Sequence, residues 1–250
     1  MRIHIIACQV FNREFAHYIA KSDNIIDVCW LEQGLHDTPV ILKEKLQNAI
    51  LEAEKRKKNI PDAIVLGYGL CSNGVVGLSS SKFPLVVPRT DDCIAVFLGS
   101  QKRYLEYFYK NNSTYWLSLG WIEHGFVPNE KTMLERKQGY IREFGEEGAE
   151  YLYQFDVEWT KKYSYLTYIQ NKFYQNENYL KEAREIARDY DWNLDIAEAD
   201  DSLIEDLIEG RWDEERFLVC PPNHTIELSY DETKITAAFN QDLTNTDISI

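Results

Sequence analysis

The chain has 250 residues, with 27 Lys and Arg against 41 Asp and Glu, so its net charge of -14 opposes any sequence-independent grip on nucleic acid or anionic lipid. Hydrophobic residues at 44% and aromatics at 13% exclude a disordered chain and leave enough apolar surface for one large domain or two small lobes. No run approaches the roughly 18 consecutive apolar residues of a membrane span, and five cysteines, an odd number, argue against a disulfide framework.

The first residues run straight into a strand pattern and lack the long apolar stretch and small-residue cleavage site of a signal peptide. A cytoplasmic protein is expected, whose thiols stay free, ligate metal or do redox work. Residues 3–7 read as a first strand ending at Cys8, residues 14–20 as a helix, and residues 25–31 as a second strand leading into Gly34-Leu-His-Asp-Thr-Pro39. Asp37 or Thr38 before Pro39 is a good helix start, and residues 40–57 carry helical periodicity. A third strand at 62–67 follows, then a glycine-rich loop and a fourth strand at 83–87. Short apolar strands alternating with amphipathic helices predict a parallel sheet covered on both faces.

Beyond Asp92, residues 93–98 and 101–110 read as helices and 113–119 as a strand. Residues 129–150 read as a charged helix interrupted by glycines, 164–169 as a strand, 176–190 as a helix, and 192–197 and 217–220 as strands. The expected fold is α/β: two Rossmann-like lobes with mainly parallel sheets and a cleft between them, at residues 1–110 and 111–225. The polar tail at 226–250 is expected to hold a hairpin fragment and a frayed end.

The chemistry-bearing residues gather at expected strand ends, where open α/β sheets place their sites. Cys8 ends the first strand, Cys71 lies in the loop after the third, and Cys93 follows Pro88-Arg-Thr-Asp-Asp92 after the fourth. Thiolates suit zinc, iron or an Fe-S cluster, and three protein ligands with one open position describe a catalytic rather than a closed structural metal site. No Cys-x-x-Cys spacing supports this, and the bland alternative is cysteine as a small buried hydrophobe, the expected state of Cys29 and Cys220.

Gly67, Tyr68, Gly69, Asn73 and Gly74 form a loop that could approach a cofactor or ligand, although it matches neither a P-loop nor the dinucleotide fingerprint, and a structural turn is the alternative. His36 is a candidate ligand, acid or base, or else part of a helix-capping loop. Arg89 is a candidate for binding a carboxylate ligand. Asp92 is a candidate for orienting a metal ligand, or else an ordinary helix N-terminus. His4, in phase with Cys8 along its strand, reads best as a satisfied core histidine.

Several motifs together resemble the family designated domain of unknown function 1638: Gly67-Tyr-Gly-Leu-Cys-x-x-Gly74, Pro88-Arg-x-Asp-Asp-Cys93 with Leu98-Gly-Ser100, Gly34-Leu-His36, and Tyr115-Trp-Leu-x-x-Gly-Trp121. The resemblance spans roughly residues 1–222, and departs from the usual pattern at Asn111-Asn-Ser-Thr114, where a Pro-Gly turn is common. It implies a setting in anaerobic bacteria and methanogenic archaea beside corrinoid-dependent methyltransferases. The function expected from residues and resemblance together is a Cys-ligated zinc or iron site that catalyses or assists methyl transfer, with a corrinoid protein or methyltransferase as partner. The alternatives are a non-enzymatic accessory protein that binds a corrinoid partner or a small ligand in the cleft, and a thiol redox protein using Cys71 and Cys93.

Overall fold

The computed structural model describes residues 1–174 and 176–240. In chain order its first elements are β1 (Arg2–Cys8), α1 (Asn12–Ile19), β2 (Ile25–Leu31), α2 (Pro39–Glu54), β3 (Ala63–Gly67), β4 (Ser79–Ser80), β5 (Leu85–Pro88), α3 (Cys93–Phe97) and α4 (Gln101–Lys110). There follow β6 (Thr114–Ser118), α5 (Leu119–His124), α6 (Glu130–Thr160), β7 (Tyr165–Gln170), α7 (Glu177–Asp189) and β8 (Asn193–Glu198). The chain closes with α8 (Ser202–Glu209), β9 (Phe217–Cys220), β10 (His224–Leu228) and β11 (Ile235–Phe239). Among the described residues no helix is long and apolar enough to cross a membrane.

Two compact units divide the chain, one made of residues 1–104 with everything from 200 onward, the other of residues 105–199. In the first, a five-stranded sheet has the order β2-β1-β3-β5-β9. Its first four strands are parallel, and β9 runs antiparallel at the edge, pairing Leu85 with Cys220 and Pro88 with Phe217. β1 and β3 are apolar almost throughout because they are covered on both faces. Ile3, Ile5, Ile64, Leu66, Phe11, Phe15, Leu46 and Phe97 are fully buried there, each worth about 1.5–3 kcal/mol in removed apolar surface.

The expected boundary at residue 110 therefore falls differently, as does the assignment of residues 200–225 to a second lobe. α8 packs on α1 and α3, and β9 finds its hydrogen-bonding partner in β5, so both belong to the first unit. The expected hairpin near the C-terminus is β10 with β11, which joins β4 in a small antiparallel sheet. The expected frayed end, residues 241–250, lies outside the described residues.

The second unit is a parallel sheet in the order β6-β7-β8 over an aromatic core. Trp192 stacks on Tyr115 and Tyr190 with ring centroids 5.6 and 4.8 Å apart, and Trp159 and Tyr163 meet Tyr115 edge-on. The charged helix of the sequence extends to Thr160, but Gly145 sits at φ 74°, ψ 175°, outside helical space. Arg136 pairs with Asp156 at 2.9 Å and Lys137 with Glu150 at 2.7 Å. In a straight helix residues 136 and 156 would stand about 30 Å apart, so the chain reverses at Gly145 and α6 is a helical hairpin.

Candidate functional site

β1, β3 and β5 are neighbours in the first sheet, so the segments leaving their C-terminal ends lie side by side. Cys8 is the last residue of β1, Cys71 lies four residues past β3, and Cys93 opens α3 after β5. The sulfurs of Cys71 and Cys93 are 3.6 Å apart, and Cys8 stands at the end of β1, the strand next to β3. Among the described residues all five cysteines are free thiols.

The loop after β3 is held by its backbone. Leu70 N donates to Thr90 O at 2.8 Å and Cys71 N to Asp91 O at 2.9 Å, which fixes Cys71 against the segment that carries Cys93. Glycine makes this possible at one position above all: a Cβ on Gly69 would lie 2.7 Å from Thr90 Oγ1 and 2.8 Å from the Asp92 backbone. At Gly67 a Cβ would meet Ala7 and Phe15, and at Gly74 it would meet Leu42. The missing side chains at 67, 69 and 74 thus serve close protein packing, the structural-turn alternative for these three candidate cofactor contacts. Immediately after this tether, Cys71, Ser72 and Asn73 take φ of 46°, 58° and 65°. Three successive non-glycine residues in left-handed space cost about 1–2 kcal/mol each, somewhat less for Asn. The strain is concentrated at the thiol.

Hydrogen bonding to Cys71 and Cys8, with burial behind it, pushes the Cys93 pKa well above the ordinary thiol value. The same bond holds the Cys8 pKa below that value; burial opposes this and the Val10 backbone N–H assists it. Tyr68, three residues before Cys71, is 3% exposed, and its buried hydroxyl has no hydrogen-bond partner among the described residues. Burial raises its pKa far above the usual phenol range, and the charges of Cys8, Cys93, Cys71 and Cys29 raise it further, so it remains a neutral donor.

The remaining candidates are placed elsewhere or occupied. Asp92 Oδ1 accepts from Ile94 N at 2.9 Å and Ala95 N at 3.2 Å, the helix N-terminus alternative, and burial raises its pKa. Arg89 does not present a free guanidinium: Nε donates to the carbonyls of Glu214 and Phe217, and Nη1 to those of Thr233 and Ile235. It ties β5 to the segments around β9 and β11. His36 is exposed, with its imidazole 3.5 Å from the Asp37 carboxylate. His4 is a partnered core histidine, bonded through Nδ1 to Asp27 at 2.6 Å and beside Arg56 at 3.2 Å. Cys220 is fully buried at the sheet edge, its pKa pushed up to about 11 by burial. Asn73 is exposed at the tip of the strained turn. The sequence offers Tyr68 only as one member of the loop, a phenol between two glycines at a strand end; that its hydroxyl is buried without a partner among the described residues has no local sequence signal.

These features define a mixed α/β protein whose distinguishing feature is a close pair of thiols, Cys71 and Cys93, at the C-terminal edge of a parallel sheet, with Cys8 ending the adjacent strand. The profile of the family described as "Protein of unknown function (DUF1638)" matches residues 30–208, more than half of the chain, and the chain belongs to that family. No curated protein and no solved structure matches it. Among the described residues no group of three or more His, Cys, Asp or Glu side chains is placed so that it could hold a metal ion. The close sulfur pair is Cys71 with Cys93, and Cys8 ends the adjacent strand β1.

Proposed function

We propose that Cys8, Cys71 and Cys93 bind one soft metal ion, zinc or iron, and that this thiolate site catalyses or assists methyl transfer with a corrinoid protein or methyltransferase as partner. The observation that carries the reading is the 3.6 Å separation of the Cys71 and Cys93 sulfurs, with Cys8 at the end of the adjacent strand β1. Tetrahedral bonds of about 2.3 Å put two sulfurs about 3.8 Å apart on one ion. Sulfurs this close suit a single ion better than separate irons of a cluster. A bound ion would keep sulfur ionised at neutral pH and offer a further coordination position.

The chain's own residues supply the rest. The tether from Leu70 and Cys71 to Thr90 and Asp91 holds Cys71 against the segment that carries Cys93, and each thiol must give up its proton as the ion enters. The methyl-transfer step and the corrinoid partner rest on the family resemblance. A reducing cytoplasm, which keeps the thiols free, and the net charge of -14, which disfavours nucleic acid, complete the reading.

The test is elemental analysis of anaerobically purified protein beside Cys8→Ser, Cys71→Ser, Cys93→Ser and, as control, Cys29→Ser. Near-stoichiometric zinc or iron, lost in the first three variants and kept in the fourth, is expected; background metal in the wild type overturns the reading. A second reading, dithiol redox chemistry, is favoured by the same sulfur contact. One thiolate of the Cys71–Cys93 pair attacks an external disulfide and releases a thiolate; the other then attacks the mixed disulfide, releasing the second and leaving an internal disulfide. Mass spectrometry after titration with oxidised glutathione detects or removes that bond. A metal-free protein that assists a corrinoid partner without turnover of its own would instead give a stable complex with that partner and neither signal.

A further inference from the structure

The five-stranded sheet of the first unit ends at β2, and among the described residues β2 pairs with β1 alone. Ile25 N donates to Met1 O at 2.9 Å. In a parallel ladder alternate residues turn their peptide groups to the same side. Those of residues 25, 27, 29 and 31 therefore face β1, and those of Ile26, Val28 and Trp30 face away from it. All seven residues of β2 are at least partly exposed, whereas six of the seven in β1 are buried.

An open edge of this length is a template for another strand, and soluble proteins ordinarily blunt it with Lys, Pro, a bulge or a cover. β2 reads Ile-Ile-Asp-Val-Cys-Trp-Leu, with neither Lys nor Pro. Its one charge, Asp27, is committed within the chain, to His4 at 2.6 Å and Arg56 at 2.8 Å. The edges of the other parallel sheet are managed differently: β8 carries Asp195 and Glu198, and β6 is buried except at Trp116.

The β2 edge is complementary to itself. Val28 is the midpoint of the strand, so an antiparallel pair of β2 strands about a two-fold axis at Val28 overlaps along the whole element. The outward peptide groups then meet in hydrogen-bonded pairs, Val28 with the partner's Val28 and Ile26 with the partner's Trp30, all of them apolar. On the opposite face Asp27 stands across from the partner's Cys29, so no like charges meet. Centring on Asp27 would set two carboxylates against each other, and centring on Cys29 would set Ile26 against Glu32, beyond the strand.

We infer that β2 is a dimerisation edge, at which a second copy of this chain pairs antiparallel about Val28 to make one continuous sheet across both copies. The C-terminal ends of the parallel strands in the two copies then point in opposite directions. Each Cys71–Cys93 pair accordingly works alone, and the inference stands independently of the metal reading.

The experiment measures mass by light scattering over a concentration series, and amide hydrogen exchange along residues 25–31, at about 0.15 M salt, where repulsion between two acidic chains is largely screened. The expected results are the mass of two chains, and amides of Ile26, Val28 and Trp30 that exchange as slowly as those of Asp27 and Cys29. Val28→Pro removes one outward donor and leaves the bonds to β1, a position where edge strands accept proline; Val28→Lys adds the charge that ordinarily guards such an edge. Each should halve the mass, keep the near-UV circular dichroism of the wild type, and release the amides of Ile26 and Trp30 to fast exchange. A wild type with the mass of one chain throughout the series overturns the inference. So does a dimer whose Ile26, Val28 and Trp30 amides exchange freely, because its interface then lies elsewhere, and so does a natively folded Val28→Lys that remains dimeric. The wild-type mass and exchange decide the question whether or not the variants fold.

Discussion

The ends of β1, β3 and β5 and the ends of β6, β7 and β8 are built alike, as neighbouring parallel strands whose segments leave on one edge. After β6, Ser118 simply caps α5 by accepting from Trp121 N, and after β7, Asn171 turns the chain by accepting from Phe173 N at 2.7 Å. After β3, the chain instead spends three left-handed residues and a tethered backbone to hold a thiol beside another. One edge closes its strands with ordinary caps; the other stores strain where the sulfurs meet. The difference teaches that topology supplies a place for chemistry while the loop decides whether the place is used.

The largest expected effect falls in the plain unit. Trp192 is 7% exposed between Tyr115, Tyr163 and Tyr190, and Trp192→Ala should cost about 3–5 kcal/mol, read by urea unfolding with near-UV circular dichroism. The native reactivity of Cys71 and Cys93 toward a thiol reagent should stay unchanged. Faster labelling of those cysteines in the variant would break the comparison, because the second unit's core would then be supporting the thiol edge.

Gly69→Ala should follow, at about 2–3 kcal/mol, because its Cβ meets backbone that cannot turn aside. Unlike Trp192→Ala, it should also part the two sulfurs and change their labelling. A smaller effect of opposite sign is expected at Ser72, an exposed side chain at φ 58°. Ser72→Gly should add about 1 kcal/mol by relieving left-handed strain. If the strain serves to hold Cys71 in place, the stabilised variant will bind the metal of the proposed site less tightly; unchanged affinity would reduce the turn to simple chain geometry.

What the sequence made legible is tied to local pattern. Cys8, Cys71 and Cys93 could be set at strand ends because β1, β3 and β5 are short apolar runs, and parallel connection puts such ends on one edge. The fold class followed from the same alternation. The unit boundary did not, because β9 pairs with β5 across more than a hundred residues and runs antiparallel, which no local period encodes. Arg89 looked like a ligand-binding cation because its four carbonyl partners lie in segments far along the chain. Gly145 was seen as an interruption, but its reversal of the helix shows only in pairs such as Arg136 with Asp156.

The smallest expected effect separates the thiol end of β1 from its middle. His4 is buried, and that burial lowers its pKa despite the opposing pull of Asp27. The unfolded chain, with histidine near 6.5, then binds the proton more tightly than the folded one. Between that value and the lowered folded one, stability must fall as pH falls. Asp27 carries a lowered pKa as well, so its contribution persists through this window and is lost only under stronger acid. His4→Gln should therefore narrow the stability difference between pH 7.5 and pH 5.5 measured by urea unfolding, while the Cys8 end of the strand keeps its labelling behaviour. An unaltered pH dependence in His4→Gln would place the acid sensitivity elsewhere; altered thiol labelling would show that the middle and the end of β1 act together.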